Sequence, residues 1–283
     1  MIDNKKINEI KNAHLYYINN FRHYLDKDNL RDLLISISSF DNNIKLWNIN
    51  KLECLLDIKN IYKNGEIFSS CFLNNNNKLF IVSSNDYYPD VPGPIKVFNL
   101  EGILIKIIKN SKERTFFIDT FYDNKAYKNY IFTGNKNFIK SYDYDRNRLF
   151  HIYNDNSLEF HCSIIIYQDN NEAVTKLIES SNDGNIRIWN FHTGDLIKKI
   201  EVIKNRKFRL YGICLWDKDN LFVGCNDKTI KLVNLNNKSI IKNLEGHIEF
   251  PITIKKIIHP LYGKCLISEG DENDTIKLWI IQK

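Results

Sequence analysis

The sequence predicts an all-β protein, a β-propeller built from four-stranded antiparallel blades. The motif Asp41-Asn42-Asn43-Ile44-Lys45-Leu46-Trp47-Asn48 has five further copies, each of which contains Ile followed by Lys or Arg. The position of its tryptophan is taken in turn by Trp47, Phe98, Tyr142, Trp189, Val233 and Trp279. These positions are 51, 44, 47, 44 and 46 residues apart, a period typical of four-stranded propeller blades.

The segments between the copies are short β-prone runs separated by turns rich in Asn and Asp. Their alternating pattern predicts strands, and the lack of a sustained i, i+3, i+4 apolar stripe argues against a helical solenoid. The predicted strands of blades one to three are 17–22, 33–37, 44–48 and 52–58; 67–73, 79–83, 95–99 and 103–108; and 115–121, 130–133, 138–142 and 149–153. Those of blades four to six are 160–167, 176–180, 186–190 and 196–202; 210–215, 221–224, 229–233 and 239–244; and 252–258, 265–268 and 275–280. The six blades account for residues 1–283 as one domain.

The last predicted blade has only three strands of its own, because the sequence stops at Lys283 just after the third. Residues 6–14, which precede the first repeat, share the alternating pattern of residues 239–247, and both segments end in a small residue followed by His. We therefore predict that the N-terminal strand completes the last blade. Such a closure would cover two sheet edges that are otherwise exposed.

These motifs resemble those of the WD40 repeat family over essentially the full length of the chain. A WD40 blade has His before its first strand, Ser or Thr on its second, Asp in the next turn and Trp on its third, and these side chains form a buried hydrogen-bonded chain. The residues that the resemblance assigns to this structural role are His14, Asp41, Trp47, Asp183, Trp189, Asp227, His247 and Trp279. The pattern is incomplete, because Glu179 stands where blade four should have a hydroxyl group and Val233 replaces the tryptophan of blade five.

The number of blades is the least regular feature of the resemblance. Seven is the commonest count in the WD40 family, whereas this sequence contains six repeats. The resemblance therefore implies either a closed ring of six blades or an open one that accepts a further blade from a partner chain, as coat and nuclear-pore scaffolds of the family do. The match of the N-terminal strand to the incomplete last blade favours the closed ring.

The composition is ordinary for a soluble protein, with 43% hydrophobic and 26% charged residues. No apolar run reaches the length of about 18 residues that a membrane span needs. Residues 1–6 lack the apolar core of a secretory signal, so we expect a cytoplasmic protein, with the nucleus as the alternative. The six cysteines include no C-x-x-C pair, and we expect them to be reduced core thiols.

Catalytic signatures are missing from the sequence. It contains no G-x-S-x-G elbow, no G-x-x-x-x-G-K-[ST] or G-x-G-x-x-G loop and no H-E-x-x-H pair. His161 and Cys162 are adjacent, but neighbours on a strand point to opposite faces, which makes them a poor base and nucleophile pair. His14 and His247 have no second metal ligand at a suitable short spacing. We therefore expect a protein that is not an enzyme and that has neither a cofactor nor a metal site.

Function is expected to lie in binding, on the face where the loops before the first strands and those between second and third strands emerge. Aromatic and Arg side chains dominate interface energetics, and the insertion at 84–94 holds three of the five prolines. The predicted protein-binding residues are Tyr16, Asp86, Tyr87, Tyr88, Asp90, Arg114, Phe208, Arg209, Glu249 and Phe250. The primary hypothesis is a scaffold that binds peptides or protein surfaces through these loops.

The alternative hypothesis is an RNA- or ribosome-associated factor that uses basic loops. The net charge is +6, and residues 204–211 combine four cations with two aromatic rings. Such a mixture suits RNA stacking or an acidic peptide. The cations at equivalent motif positions are Lys45, Lys96, Lys140, Arg187, Lys231 and Lys277. Phosphate contacts through these groups would make affinity fall steeply with ionic strength.

Overall fold

The computed structural model describes residues 10, 13–16, 18, 20–38, 40–62, 66–86, 93–109, 115–157, 159–169, 171–204, 209–270 and 276–281, with the side chains of 85 and 86 left out. These residues form 23 strands in six antiparallel sheets. The all-β class and the six-bladed propeller architecture predicted from the motif spacing are therefore confirmed. The chain divides into two compact units, Met1–Thr133 with Tyr142–Arg148, and Gly134–Ser141 with Leu149–Lys283.

The first unit contains sheets one and two and part of sheet three. Sheet one has the order β1 (Asn20–Asp26), β2 (Arg31–Ser38), β3 (Asn43–Asn48) and β4 (Glu53–Ile58). Sheet two has the order β5 (Glu66–Asn75), β6 (Lys78–Asp86), β7 (Ile95–Asn99) and β8 (Leu104–Ile108). Sheet three, which is divided between the units, consists of β9 (Thr115–Asp123), β10 (Lys128–Asn135), β11 (Ile139–Asp143) and β12 (Arg148–Tyr153).

The second unit contains sheets four, five and six. Sheet four has the order β13 (His161–Tyr167), β14 (Lys176–Ser181), β15 (Asn185–Asn190) and β16 (Leu196–Glu201). Sheet five has the order β17 (Leu210–Leu215), β18 (Asn220–Cys225), β19 (Ile230–Asn234) and β20 (Ile240–Leu244). Sheet six consists of β21 (Pro251–His259), β22 (Gly263–Gly270) and β23 (Ile276–Ile280) among the described residues.

The strand predicted to complete the last blade, residues 6–14, lies mostly outside the described residues. Only Ile10, Ala13 and His14 of that segment are described, and none of them belongs to a strand. The predicted closure therefore stays a prediction.

A β-bulge recurs beside the motif position that Trp47 occupies in sheet one. The register between the third and fourth strands shifts just before Trp47, Phe98, Trp189 and Val233. The extra residue lies on the fourth strand, where it is left unpaired and turns that strand locally beside the motif position. The repeat seen in the sequence is thus also a repeat of backbone geometry.

The core lies between consecutive sheets within each unit. In the first unit, apolar residues of β2 and β3 pack with Ile61, Tyr62 and Phe98 of the next repeat. In the second unit, Ile213 and Val223 of sheet five join the apolar cluster of sheet four. The central strands are buried on both faces, which explains why they read as almost continuous apolar runs in the sequence.

Two glycines let sheets five and six approach each other closely. A Cβ atom at Gly224 would lie 2.0 Å from the carbonyl oxygen of Pro251, and one at Gly212 would lie 2.2 Å from that of Ile252. No side chain fits at such distances, so these positions require glycine because of packing against backbone.

Candidate functional site

A buried hydrogen-bonded chain holds the loop that enters sheet one. Ser36 Oγ accepts the indole N–H of Trp47 at 2.7 Å and lies 2.7 Å from His14 Nε2. The other ring nitrogen, His14 Nδ1, lies 2.9 Å from Asn43 Oδ1 and 3.3 Å from the Asp41 carboxylate. Because the Ser36 proton then points to Nε2, the imidazole donates from Nδ1. Burial lowers the pKa of His14, although the bond to Asn43 opposes the fall, so this histidine is a neutral structural group at pH 7.

The residues next to His14 are apolar and exposed to solvent. Leu15 is 90% exposed and Tyr16 is 59% exposed, and the Tyr16 ring lies 5.6 Å from that of Phe40. The loop is fixed beneath them, because Leu15 N–H donates to Asp41 Oδ2 at 2.9 Å. The rings of Tyr16 and Phe40 are therefore exposed to solvent, while the backbone of the loop at Leu15 is bonded to the buried hydrogen-bonded side chains of sheet one.

A polar cleft of about 340 Å³ adjoins these rings. It is lined by His14, Leu15, Asp41, Asn43, Lys45, Asp57, Lys59 and Asn60. Asp57 lies 3.9 Å from Lys45 and 3.7 Å from Lys59, so the charges in the cleft nearly balance. We call Leu15, Tyr16 and Phe40 together with this cleft the loop surface of sheet one.

The other predicted protein-binding residues fall into two groups. Tyr87, Tyr88, Asp90, Arg114 and Phe208 lie outside the described residues, and Asp86 is described only as the last backbone position of β6. The remainder, Arg209, Glu249 and Phe250, belong to the second unit, whereas Tyr16 belongs to the first.

In the second unit, the predicted residues form a smaller feature. Phe250 is half-buried and stacks on Tyr211, with ring centroids 6.1 Å apart and an interplanar angle of 20°. Arg209 is exposed, and its backbone N–H donates to Asn226 Oδ1 at 2.6 Å. Glu249 is half-buried beside Phe250 in the chain.

Sheet six repeats the buried chain of sheet one. Ser268 Oγ accepts the indole N–H of Trp279 at 2.7 Å and lies 2.7 Å from His247 Nε2. Sheet five keeps only the turn, where Asp227 binds Lys231 at 2.7 Å and accepts the Thr229 N–H at 3.1 Å. Val233 stands at the tryptophan position of sheet five, so no indole N–H needs an acceptor there. The Val233 side chain is buried.

Sheet two contains a substitute that the sequence reasoning missed. Tyr62 is buried and donates its hydroxyl proton to the Ser83 carbonyl at 2.8 Å. The Lys96 ammonium lies 4.7 Å from the centre of the Tyr62 ring and donates to the Ile61 carbonyl. Burial raises the pKa of Tyr62 far above its ordinary value, so the phenol stays neutral. Tyr62 precedes Ser83 by 21 residues, as His247 precedes Ser268. This equal spacing was the sequence feature that could have indicated that Tyr62 takes the place of the histidine.

Sheet four replaces the hydroxyl group by a buried carboxylate. Glu179 Oε1 accepts the Trp189 indole N–H at 3.2 Å, and Glu179 Oε2 contacts His161 Nδ1. Both His161 and Glu179 have fully buried side chains. His161 was predicted on a strand, but its pairing with Glu179 was not. The position of a carboxylate within a buried strand was the sequence feature that could have indicated this pairing.

Arg187 neutralises the carboxylates around this centre. Its fully buried guanidinium lies 2.8 Å from Asp155 through Nε, contacts Asp183 through Nη2 and lies 3.7 Å from Glu179. Burial alone would raise the pKa of Asp155, but the nearby cations Arg187 and Lys199 overcome it and lower the pKa to about 2. We call Asp155, His161, Glu179, Asp183, Arg187 and Lys199 the charge cluster of sheet four.

Five of the six motif cations are buried or in contact with groups of the protein, and the sixth, Lys277, is half-buried. Arg187 is 0% exposed, Lys140 is 6% exposed and Lys231 is 8% exposed, while Lys45 and Lys96 contact Asp57 and the Ile61 carbonyl. A phosphate-binding surface needs cations that reach solvent. These five cations instead contact carboxylates, carbonyl groups or rings of the protein itself.

The remaining chemistry gives no further centre in the described part of the chain. No three His, Cys, Asp or Glu side chains there are grouped as metal ligands, and no helix there is long and apolar enough to cross a membrane. Cys162 donates to Asn182 Oδ1 at 3.0 Å, and burial raises the pKa of its thiol to about 12. It is therefore a protonated thiol at neutral pH.

A scan against models of known protein families finds no match to this chain. A search of curated proteins likewise finds no significantly similar sequence.

Proposed function

We propose that the chain is a non-catalytic scaffold of the WD40 type that binds peptides or protein surfaces through the loop surface of sheet one. The observation that carries the proposal is the exposed pair Tyr16 and Phe40, fixed above the buried His14 chain and next to a polar cleft. A scaffold of this kind acts in the cytosol or the nucleus.

Preorganisation supports a binding role for this surface. An aromatic ring buried in a complex contributes on the order of 2 kcal/mol or more, and a loop already fixed by hydrogen bonds loses little entropy when it docks. The bond from Leu15 N–H to Asp41 and the contacts of His14 supply that fixation. Apolar anchors therefore provide affinity, while the nearly balanced charges of Lys45, Asp57 and Lys59 orient the partner.

The test is a pull-down from native cells with and without nuclease. It compares the natural chain with a Tyr16→Ala, Phe40→Ala double variant and with Tyr127→Ala. Tyr127 is 79% exposed and lies in the turn between β9 and β10, within the same unit, so it controls for loss of an exposed aromatic ring.

We expect a nuclease-resistant protein partner that is retained by Tyr127→Ala and lost by the double variant. Its affinity should change little with ionic strength. The proposal would be overturned in favour of an RNA-associated factor if co-purification disappeared with nuclease and was unaffected by the Tyr16→Ala, Phe40→Ala substitutions. A Tyr87→Ala, Tyr88→Ala variant in the same experiment tests the other predicted loop.

A further inference from the structure

A second cleft, of about 290 Å³, lies between the first strands of sheets one, two and three. It is lined by Arg22, His23, Tyr24, Cys71, Phe72, Asn74, Asp119, Thr120, Tyr122 and Asn129. All of these residues belong to the first unit. We call it the inner-strand cleft.

The inner-strand cleft is separate from the loop surface of sheet one. Tyr24, Asn74 and Tyr122 stand near the last residues of β1, β5 and β9, and Asn129 is the second residue of β10. The cleft is therefore at the turns that lead into the second strands. The loop surface of sheet one is at the opposite ends of these strands, where the loops enter the first strands.

The walls of the cleft are held in place by bonds between the strands. The Tyr24 hydroxyl accepts the Asn74 side-chain N–H at 2.9 Å, and the Tyr24 ring lies 5.4 Å from that of Phe72. On the other side, the Thr120 hydroxyl donates to the Phe72 carbonyl at 2.6 Å. Strand β5 is thus tied to both β1 and β9, and the lining side chains are positioned before any ligand arrives.

Two opposite charges line the cleft from different strands without neutralising each other. Arg22 on β1 donates from Nη1 to Asn20 Oδ1 and to the Phe21 carbonyl, each at 3.2 Å. Asp119 on β9 accepts the Thr120 N–H on Oδ1 at 2.8 Å. Among the described residues, neither Arg22 nor Asp119 has an ion-pair partner. The remaining guanidinium donors and the second carboxylate oxygen are therefore available.

The floor between these charges is neutral. Cys71 on β5 is buried, and burial raises the pKa of its thiol well above the ordinary value, with Asp119 adding to the rise and Arg22 opposing it. Strand β5, which carries Cys71, contacts both β1, which carries Arg22, and β9, which carries Asp119. A ligand lying over Cys71 would meet a cation from one side and an anion from the other.

We propose that the inner-strand cleft binds a small zwitterion of the size of a free amino acid, with its carboxylate on Arg22 and its ammonium group on Asp119. A guanidinium presents paired donors that match a carboxylate, and a half-buried carboxylate prefers a cation with N–H donors. The ligand's remaining atoms meet the amides of Asn74 and Asn129 and the exposed Tyr122 ring. This site does not depend on the proposed scaffold function.

The test is titration calorimetry of the full chain with each of the common free amino acids at millimolar concentration. We expect at least one to bind, and Arg22→Gln to weaken it about ten- to a hundredfold, the range for losing a hydrogen-bonded charge. Arg148→Gln is the matched control, because Arg148 is an exposed arginine in the same unit. The Tyr16→Ala, Phe40→Ala variant should also bind normally.

Ligand analogues separate a binding role from a structural one. In the natural chain, removing the carboxylate of the ligand or acetylating its amine should each weaken binding. The Arg22→Gln variant should no longer distinguish the amino acid from its decarboxylated amine, and Asp119→Asn should no longer distinguish it from the acetylated form. The proposal is overturned if no amino acid binds, or if both variants lose affinity for all analogues equally.

Discussion

Removing the Arg187 side chain tests whether the charge cluster of sheet four stabilises the fold. The substitution Arg187→Met keeps most of the aliphatic volume but deletes the cation that contacts Asp155, Asp183 and Glu179. Three carboxylates would then share a site in which Glu179 is fully buried. Among the described residues of the cluster, Lys199 would remain as a cation, 2.7 Å from Asp155.

The expected cost follows from the burial of these groups. Breaking a buried ion pair by deleting one partner costs about 3 to 5 kcal/mol, because the other charge is left uncompensated. At Asp155, Arg187 and Lys199 together lower the pKa to about 2 against the effect of burial. We therefore expect Arg187→Met to lower the free energy of unfolding by about 3 to 5 kcal/mol.

The assay is urea unfolding followed by tryptophan fluorescence, with Lys199→Met as the control. Lys199 binds the same Asp155 at 2.7 Å, but its side chain is 42% exposed, and an exposed pair contributes at most about 1 kcal/mol. The reasoning would be refuted if the two substitutions had equal effects, or if Arg187→Met cost less than Lys199→Met.

The pH dependence gives a second check with a definite sign. Arg187 helps to hold the pKa values of Asp155 and Asp183 below 3.8 against the effect of burial. Lowered carboxyl pKa values stabilise the folded state above the ordinary pKa, and this contribution is lost as the pH falls towards 2. The cost of Arg187→Met should therefore be greatest at neutral pH and shrink as the pH falls from about 3.8 towards about 2, where the carboxylates of the natural protein take up protons.

Two further substitutions test the packing of individual sheets, both by denaturant unfolding. Ser36→Ala removes the acceptor of a buried indole N–H and should cost about 1 to 3 kcal/mol. Ser38→Ala should be nearly neutral, because the Ser38 hydroxyl is buried without a hydrogen-bond partner among the described residues; equal costs would contradict the hydrogen-bonded chain. Gly224→Ala places a Cβ 2.0 Å from the Pro251 carbonyl oxygen and should cost about 3 kcal/mol or more. A Cβ at Gly263 would meet no atom within 4 Å, but φ there is +67°, so Gly263→Ala should cost only about 1 to 2 kcal/mol for a left-handed residue; a larger cost there than at Gly224 would contradict the packing argument.

The fold could be predicted because its signal is repeated and local. Each copy of the motif places an apolar or aromatic residue on a third strand, and in four sheets that residue pairs beside a bulge of the fourth strand, so one pattern identifies six sheets. Strand boundaries were less predictable. The first strand was expected at 17–22, whereas β1 spans Asn20–Asp26, because Asp26 is held by Arg31 at 2.6 Å across the following turn.

The buried polar partners could be predicted only where they followed the family pattern. His14 and His247 were assigned by resemblance, whereas Tyr62 was missed because tyrosine has no fixed place in that pattern. The carboxylate partners of Arg187 precede it by 4, 8 and 32 residues in the chain, and the folded sheet brings the two more distant ones together. The loop surface was anticipated through Tyr16 alone, since the position of Phe40 depends on the path of two loops.

The variety of buried polar groups has a consequence for how the chain folds. Proteins built from similar repeats tend to misassemble when one repeat takes the place of another. Here sheets one and six centre on a serine, sheet two on a phenol and sheet four on an ionised cluster, while sheet five has an apolar valine. A strand exchanged between such sheets would leave a charge or an indole N–H unpaired in the interior. Mispairing between sheets with different centres is therefore penalised although the outlines of these sheets are alike.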